Sequence, residues 1–586
     1  MKKIIINFSF FFFAIALSAQ VSSFMTDANS KKTTENLNQR ANMNVTNEYK
    51  HFILYGQSLA TGNQSYPSLS VTNVTGNYMI GDQVWINYGN TNFSNLNPLV
   101  ASMAIADVST YTLTRNSGRA ECPLIGAVNH IQTNGNNMGN ILATSAGTGG
   151  KSIEQLSKES KQSINYYLDY TKTITKASEI SKNNGYKITC PAIIWMQGEY
   201  NYTADNTRGL ISGQPNCTDK STYKNLLIQL KNNMQTDVMN AYSQTSKPLF
   251  ITYQVGAQFT KGKTLEIGMA QLEMANEYDD VFCAGPVYQM SDRGGHLDAN
   301  GYRWYGEIIA KAYLQTINTG KKFQPLQPKE IARTANPKEI IVKFLVPKLP
   351  LVLDILTVKK VTDYGFTVYN NDIRQTISSV TIDNDCVRLI CSADLTGKIE
   401  IVYAGLNTTS SYDNGHGNLR DSDDYPSIYN YINLDKKNAD NSYFYPREAS
   451  ETTLHPIYEP KDSQGAIYDK PYPLYNFSVA FYYKLDSGQQ TYTVPNVDDA
   501  TGLNGDIKES KSIHLYQSGK NIVLETQIHG IVNLAVYDVS GKLVDLFKGH
   551  ISENSLHSEY NLSLSKGIYI VKATIANKFN TIKIAL

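Results

Sequence analysis

A chain of 586 residues is too long for one hydrophobic core, so about three domains are expected. Its 53 basic and 52 acidic residues balance without a strongly basic tract, which argues against nucleic acid or an anionic membrane surface as the main partner. Forty tyrosines and 39 glycines, with abundant Asn, Ser and Thr, point to a strand-rich and loop-rich chain. Tyrosine also suits surfaces that stack on sugars, but ordinary β propensity is the better account of its abundance.

The N-terminus, MKKIIINFSFFFFAIALSAQ, sets two lysines before about fourteen mostly apolar residues and then small residues at Ser18-Ala19. That is the pattern of a signal peptide over residues 1–19, and its apolar run is too short and wrongly flanked for a membrane span. No later segment is long and apolar enough to span either. The mature protein is therefore expected to be exported and soluble, beginning near Gln20. Residues 20–48 are polar, without apolar periodicity, and read as a leader. The six cysteines (122, 190, 217, 283, 386 and 391) show neither CxxC nor Cys/His ligand spacing, so zinc is not expected. Cys386 and Cys391 sit in the apparent strand DCVRLICS, where they point to opposite faces and should not bond to each other.

From residue 49 to 322, short apolar runs alternate with amphipathic stretches. HFILYG (51–56), NILATSAG (140–147), YKITCPAIIWMQGE (186–199), KPLFITYQVG (247–256) and VFCAGPVY (281–288) read as buried strands. TYKNLLIQLKNNMQTDVM (222–239) and GYRWYGEIIAKAYLQTI (301–317) read as helices. Such alternation predicts an α/β fold with a parallel sheet covered on both faces by helices, whose ligands bind beyond the carboxyl ends of the strands. Ser58 and Glu199 both fall just past such ends. Over 330–490 the texture changes to short alternating runs (EIIVKFLVP, GFTVYN, CVRLICS, KIEIVYAG), the signature of a β-sandwich. Within it DNGHGNLRDSDD (413–424) is acidic enough to suggest calcium but lacks the register of an EF-hand loop, and is read as a solvated loop near the substrate face. Residues 491–510 read as a linker. Residues 511–586 form a small all-β unit, with DVSGK as its hairpin signal.

Four blocks carry the chemistry: YGQSLATG (55–62), TSAGTGGKSIEQL (144–156), IIWMQGEYN (193–201) and SDRGGHLDANGYRWYGE (291–307). In order and wording they resemble the SGNH/GDSL hydrolases, specifically the sialate O-acetylesterase-like carbohydrate esterases, over roughly residues 48–320. The resemblance implies a three-layer flavodoxin-like domain, with Ser58 as nucleophile and His296 as general base. It also implies an oxyanion hole built from the Ser58 amide, Gly149 or Gly150, and the side-chain amide of Gln197. Gln57, Trp195, Glu199 and Asn201 are implied as supporting residues, Glu199 bracing loops and not acting in catalysis. The family commonly has Asp-x-x-His. Here three residues separate Asp292 from His296, and Asp298 follows the histidine by two. Asp292 is expected to orient the ring and Asp298 to cap the following helix, with the reverse assignment open.

The residues support the same chemistry independently. A serine is a poor nucleophile until an imidazole accepts its proton, and transition-state charge needs fixed donors, each typically worth about 3–4 kcal/mol. Of nine histidines, His296 is the one framed by an acidic residue, two glycines and a helix start. The implied reaction is removal of O-acetyl groups from a glycan through an acyl-enzyme, with no metal or organic cofactor. The alternatives are a glycan-binding surface protein with an inactive hydrolase fold, or an esterase for other acyl groups. The tail, VNLAVYDVSGKLV followed by NLSLSKGIYIVKA, resembles the type A sorting domain of the type IX secretion system, which implies that machinery as a partner and a secreted or cell-surface location.

Overall fold

The computed structural model describes residues 47–86, 93–101, 121–160, 164–202, 216–256, 262–294, 296–406, 416–445, 452–497, 513–518, 520–526, 530–551, 557–575 and 578–586. The expected signal peptide, the polar leader up to residue 46 and the greater part of the expected linker lie outside these residues.

The first region is an α/β unit on a seven-stranded sheet, in spatial order β3-β2-β4-β1-β5-β6-β7. Its strands are β1 (Glu48–Gly56), β2 (Asn77–Ile80), β3 (Leu96–Pro98), β4 (Asn140–Ser145), β5 (Lys187–Met196), β6 (Leu249–Gln254) and β7 (Val281–Pro286). β1 and β2 run parallel to β4, β5 to β6, and β6 to β7, whereas β3 is antiparallel to β2. The five apolar runs read from the sequence form β1, β4, β5, β6 and β7. The edge strands β2 and β3 are too short to carry a periodic signal. Phe52, Ile53, Leu54 and Tyr55 are all buried in β1, as expected for a strand covered on both faces. Each such side chain contributes about 1.5–3 kcal/mol by leaving water.

The chain leaves β1 toward one edge through β2, β3 and β4, then returns on the other side through β5, β6 and β7. The carboxyl ends of β4, β1 and β5 are therefore neighbours, at the point where a doubly wound sheet opens a crevice. Among the described residues, six helices accompany the sheet: α1 (Pro123–Asn134), α2 (Ile153–Leu156), α3 (Tyr167–Asn184), α4 (Lys220–Tyr242), α5 (Glu266–Glu277) and α6 (Ala299–Thr319). Both helices read from the sequence are among them, as α4 and α6. Among the described residues no helix is long and apolar enough to cross a membrane.

β-rich regions follow. One antiparallel sheet orders Ile377–Asp383, Cys386–Cys391, Glu339–Leu345, Gln327–Arg333 and Thr491–Thr493, and a second orders Ile373–Arg374, Phe366–Asn370, Ile399–Tyr403 and Phe481–Leu485. The two share one core, in which Phe344 of the first meets Phe481 of the second edge to face at 6.1 Å. The C-terminal part has its own core, from Leu515 to Ile584, between a three-stranded and a four-stranded antiparallel sheet. All six cysteines are unpaired.

α6 joins the first two regions. Trp304 stacks on Tyr472 at 5.7 Å and donates its Nε1–H to the Pro473 carbonyl at 2.9 Å. Further along, the buried Lys311 ammonium donates to Asp423 at 3.0 Å, Asn476 at 2.8 Å and the Leu474 carbonyl. Asp421 accepts from the Asn476 amide at 2.9 Å and from its side chain at 2.7 Å. The acidic stretch read as a solvated loop is thus partly interior: Asp421 and Asp423 are buried and Asp424 is exposed. The reason is electrostatic, because a buried ammonium is tolerable only with anionic and hydrogen-bonding partners. Residues 413–415 of that stretch lie outside the described residues.

Candidate active site

β1 ends at Gly56, with φ +150, where an added Cβ would lie 2.0 Å from the Met196 carbonyl oxygen of β5. Only glycine permits this approach, and it turns the chain sharply into Gln57-Ser58. The turn is held on every side. Gln57 donates its amide to the Met196 carbonyl at 2.9 Å, and the Ser58 carbonyl accepts from Thr61 (3.1 Å) and Asn63 (3.2 Å). Gln57 Oε1 accepts the Tyr200 amide at 3.2 Å, tying the turn to the end of β5. Ser58 is left half-buried at the strand tip, while Gln57 is buried.

Beyond β4, the Thr148 amide donates to the Gly56 carbonyl at 2.9 Å, which brings the next loop against the serine. Gly149 stands beside Ser58, since a Cβ built on it would be 3.8 Å from the serine Cβ. Gly150 makes the turn that follows, with φ +66.

The loop after β5 supports this arrangement from behind. Gln197 is fully buried, and its side chain donates to the Lys151 carbonyl at 3.2 Å and to Asn201 Oδ1 at 2.6 Å. Its Oε1 accepts from Tyr223 at 2.9 Å. The sequence puts this amide in the oxyanion hole, whereas here both its hydrogens are engaged inside the protein. A buried amide must satisfy its own donors, and the backbone of the Gly149-Gly150 loop lies in reach. Asn201 completes the brace, accepting from the Ile153 amide at 3.0 Å and donating to Glu154 at 3.1 Å. Trp195 is buried against Tyr55, ring centroids 5.6 Å apart. Glu199 is buried at 2 % exposure; its Oε1 accepts from Tyr253 at 2.5 Å, and Oε2 finds no hydrogen-bond partner among the described residues. Burial pushes its pKa up to about 7, against the smaller opposing effect of the tyrosine.

His296 arrives on the loop between β7 and α6. Arg293 donates its amide to the His296 carbonyl at 3.0 Å, and Asp298 donates its own to the Ser291 carbonyl at 3.2 Å, closing a narrow hairpin. Gly294 turns that hairpin with φ +84; Gly295 lies outside the described residues. The ring of His296, half-buried, reaches the serine turn. Asn63 Nδ2 lies 3.2 Å from Nδ1 and 3.5 Å from Nε2, and Gln64 Oε1 lies 2.7 Å from Nδ1. Among the described residues no hydrogen bond joins Ser58 to His296. Asn63, whose amide bonds the Ser58 carbonyl, links the two.

The two aspartates divide as follows. Asp298 caps α6, accepting from the Gly301 amide and the Ser291 hydroxyl, each at 2.7 Å. Asp292 is buried, and its Oδ1 accepts the Gly294 amide at 2.9 Å. Asn63 and Gln64 both reach His296 Nδ1 from the serine turn. Asn63 and Gln64 are the site residues that sequence reasoning missed. Their one sequence signal is turn chemistry, Gly-Asn-Gln directly after the serine block, which marks a loop but not its partner. Among the described residues no group of three or more His, Cys, Asp or Glu side chains is placed to hold a metal ion.

No family model matches the chain, and no curated protein matches it. Among solved structures, the chain is similar to a protein from Arabidopsis thaliana at 17 % identity and a TM-score of 0.32, over 46 % of this chain and 98 % of that one. The FN1–FN3 domains of chicken CNTN1 align at 9 % identity and a TM-score of 0.11, covering 44 % and 98 %. A β-glucuronidase from Ruminococcus gnavus aligns at 11 % identity and a TM-score of 0.12, covering 42 % and 36 %. At these scores the likenesses bear on neither fold nor function.

Proposed function

We propose that the protein is a serine carbohydrate esterase that removes O-acetyl groups from glycans, on an SGNH-type three-layer domain. One observation carries the reading: Ser58, Gly149 and the imidazole of His296 gather at the carboxyl ends of β1 and β4 and on the loop after β7, tied together through Asn63. Ser58 Oγ attacks the acetyl carbonyl while His296 takes its proton. The protonated ring then gives that proton to the leaving sugar oxygen, and the acetyl-enzyme is hydrolysed by water activated in the same way. The oxyanion is received by backbone amides of Ser58 and of the Gly149-Gly150 loop. That loop is held still by the Gln197–Asn201 brace, so Gln197 acts on the hole through the backbone.

Export by a signal peptide, and delivery outside the cell by a type IX sorting domain over 511–586, belong to the same proposal and rest on the sequence resemblance. The test is release of acetate from a panel of acetylated glycans by the purified protein, set against release of longer acyl chains. Turnover of acetylated glycans alone supports the reading, whereas turnover of longer acyl esters alone, or binding without turnover, contradicts it.

A further inference from the structure

We propose that an irregular strap of the β-rich region, residues 428–435 and 453–457, positions the active site by clamping the loop that carries His296 against the serine turn. The inference gives that region a task the esterase reading leaves unassigned, and rests on that reading for its catalytic meaning.

Between Leu419–Arg420 and Lys461–Asp462 the described residues form no helix and no strand. Backbone of this kind keeps one course only where its polar groups find partners elsewhere. Here the partners lie on one stretch of the α/β unit. The Ile428 amide donates to Glu307 at 3.1 Å, and the Asn430 carbonyl accepts from Arg303 at 3.1 Å. Asn300 holds Ile432 twice, accepting its amide and donating to its carbonyl, each at 2.9 Å. The Ile457 amide donates to the Asp292 carbonyl at 2.9 Å. These bonds all fall on the His296 hairpin or on the first half of α6. The strap thus grips the loop on both flanks, at Asp292 before the histidine and at Asn300 after it.

A side-chain contact adds to the grip. A Cβ built on Gly294, which turns the hairpin, would lie 3.2 Å from Ile457 Cδ1, so the isoleucine covers that turn. Ile457 is nevertheless 47 % exposed, and it rests on the loop without filling a core.

The same strap reaches the loop that follows Ser58. Tyr66 of that loop is buried in a small cluster with Leu434 and Leu454, one from each half of the strap. Arg293 of the His296 hairpin lies over the Tyr66 ring at 5.3 Å. Asp435 fastens the two halves together. Its Oδ1 accepts the Leu454 amide at 2.7 Å, and its Oδ2 accepts the Thr453 hydroxyl at 2.5 Å and the His455 amide at 3.1 Å. Bonds to a carboxylate are stronger than those between neutral groups, so one side chain can fix the course of this turn. Fixing it matters because acyl transfer depends steeply on geometry, and a misplacement of about 1 Å can cost about a hundredfold in rate.

The test uses the full chain and compares wild type with Asp435→Ala, Ile457→Ala and Ile457→Val. The control is Ile373→Ala, at an isoleucine 69 % exposed on the second antiparallel sheet. Two properties are read: hydrogen exchange at the Arg293 and Asp298 amides, which close the hairpin, and kcat and KM for p-nitrophenyl acetate. Asp435→Ala and Ile457→Ala should each speed that exchange and lower kcat about fivefold or more, with KM within about twofold of wild type. Ile457→Val should run near the wild-type rate, and Ile373→Ala should change neither property. Ile457→Ala should also melt like wild type, which separates lost positioning from lost fold; should Asp435→Ala fail to fold, Ile457→Ala decides alone. Unchanged exchange, a kcat within about twofold of wild type, or an effect confined to KM overturns the proposal. The exchange needs no turnover, so a chain inert toward acetyl esters refutes the esterase reading while the clamp is still decided by the hairpin amides.

Discussion

Glu199 lies one turn beyond β5, out of water, with Tyr253 as its hydrogen-bond donor. Its folded pKa of about 7 stands above the ordinary value of 4.5. Between those two pH values the folded chain holds a proton that the unfolded chain has released. The stability this contributes is full below about pH 4.5, is lost as pH rises toward 7, and stays lost above it. The loss at pH 8 amounts to roughly 3 kcal/mol at most, at about 1.4 kcal/mol per pH unit. Glu199→Gln, which keeps an acceptor for Tyr253 without the charge, should raise Tm at pH 8 and leave it unchanged at pH 5. Esterase rate should stay within a few fold, as suits a brace behind the site. A lower Tm at pH 8 would show instead that the protein needs the carboxylate charged.

At the scale of elements, the loop from β7 to α6 separates what a sequence can show from what it cannot. The cap at Asp298 was legible, because an aspartate three residues ahead of a glycine amide at a helix start is a local pattern with a local cause. The serine turn was legible for the same reason, a strand ending on glycine before a polar residue. The contact of Gln64 with His296 was not, since Gln64 lies 232 positions away and reaches the ring through the tertiary placement of two loops. The role of Gln197 was hidden likewise: a polar residue at a strand end looks the same whether it faces the site or braces a loop behind it. Asp298→Ala should cost about 0.5–2 kcal/mol of stability through the lost cap, read as a lower Tm. Asp292→Asn should leave Tm nearly unchanged. If Asp298→Ala melts like wild type but turns over at a small fraction of its rate, that aspartate serves the histidine and not the helix.

Over the whole molecule, the change of texture near residue 330 marked the passage from the α/β unit to β-rich sheets, because strand periodicity is a local signal. The role of the acidic stretch before residue 424 was not legible, because its partner Lys311 sits on α6, inside an amphipathic pattern that reads as an ordinary helix face. The C-terminal sheets keep a separate core. They meet the first region around a cleft of about 300 Å³ between α4 and α5 on one side and Leu515, Tyr516 and Ile582 on the other. Asn232 donates to Glu525 there at 3.1 Å. None of the candidate site residues lines that cleft. Deleting residues 511–586 should therefore leave the esterase rate intact and, if the tail is a sorting signal, keep the protein from the medium. Normal yield of the truncated chain in the medium would contradict the sorting role, and loss of its activity would place part of the site in the tail.

The central claim is that Ser58 is the nucleophile of an acetyl esterase, and the most direct measurement compares acetate release from an acetylated glycan by wild type and Ser58→Ala. The serine is half-buried at a strand tip and its side chain supports no core packing, so the variant should melt like wild type. Its rate should fall by about a thousandfold or more, equivalent to about 4 kcal/mol of barrier. A variant that keeps the fold and releases acetate within about tenfold of wild type, a difference of only ~1.4 kcal/mol, would contradict the account.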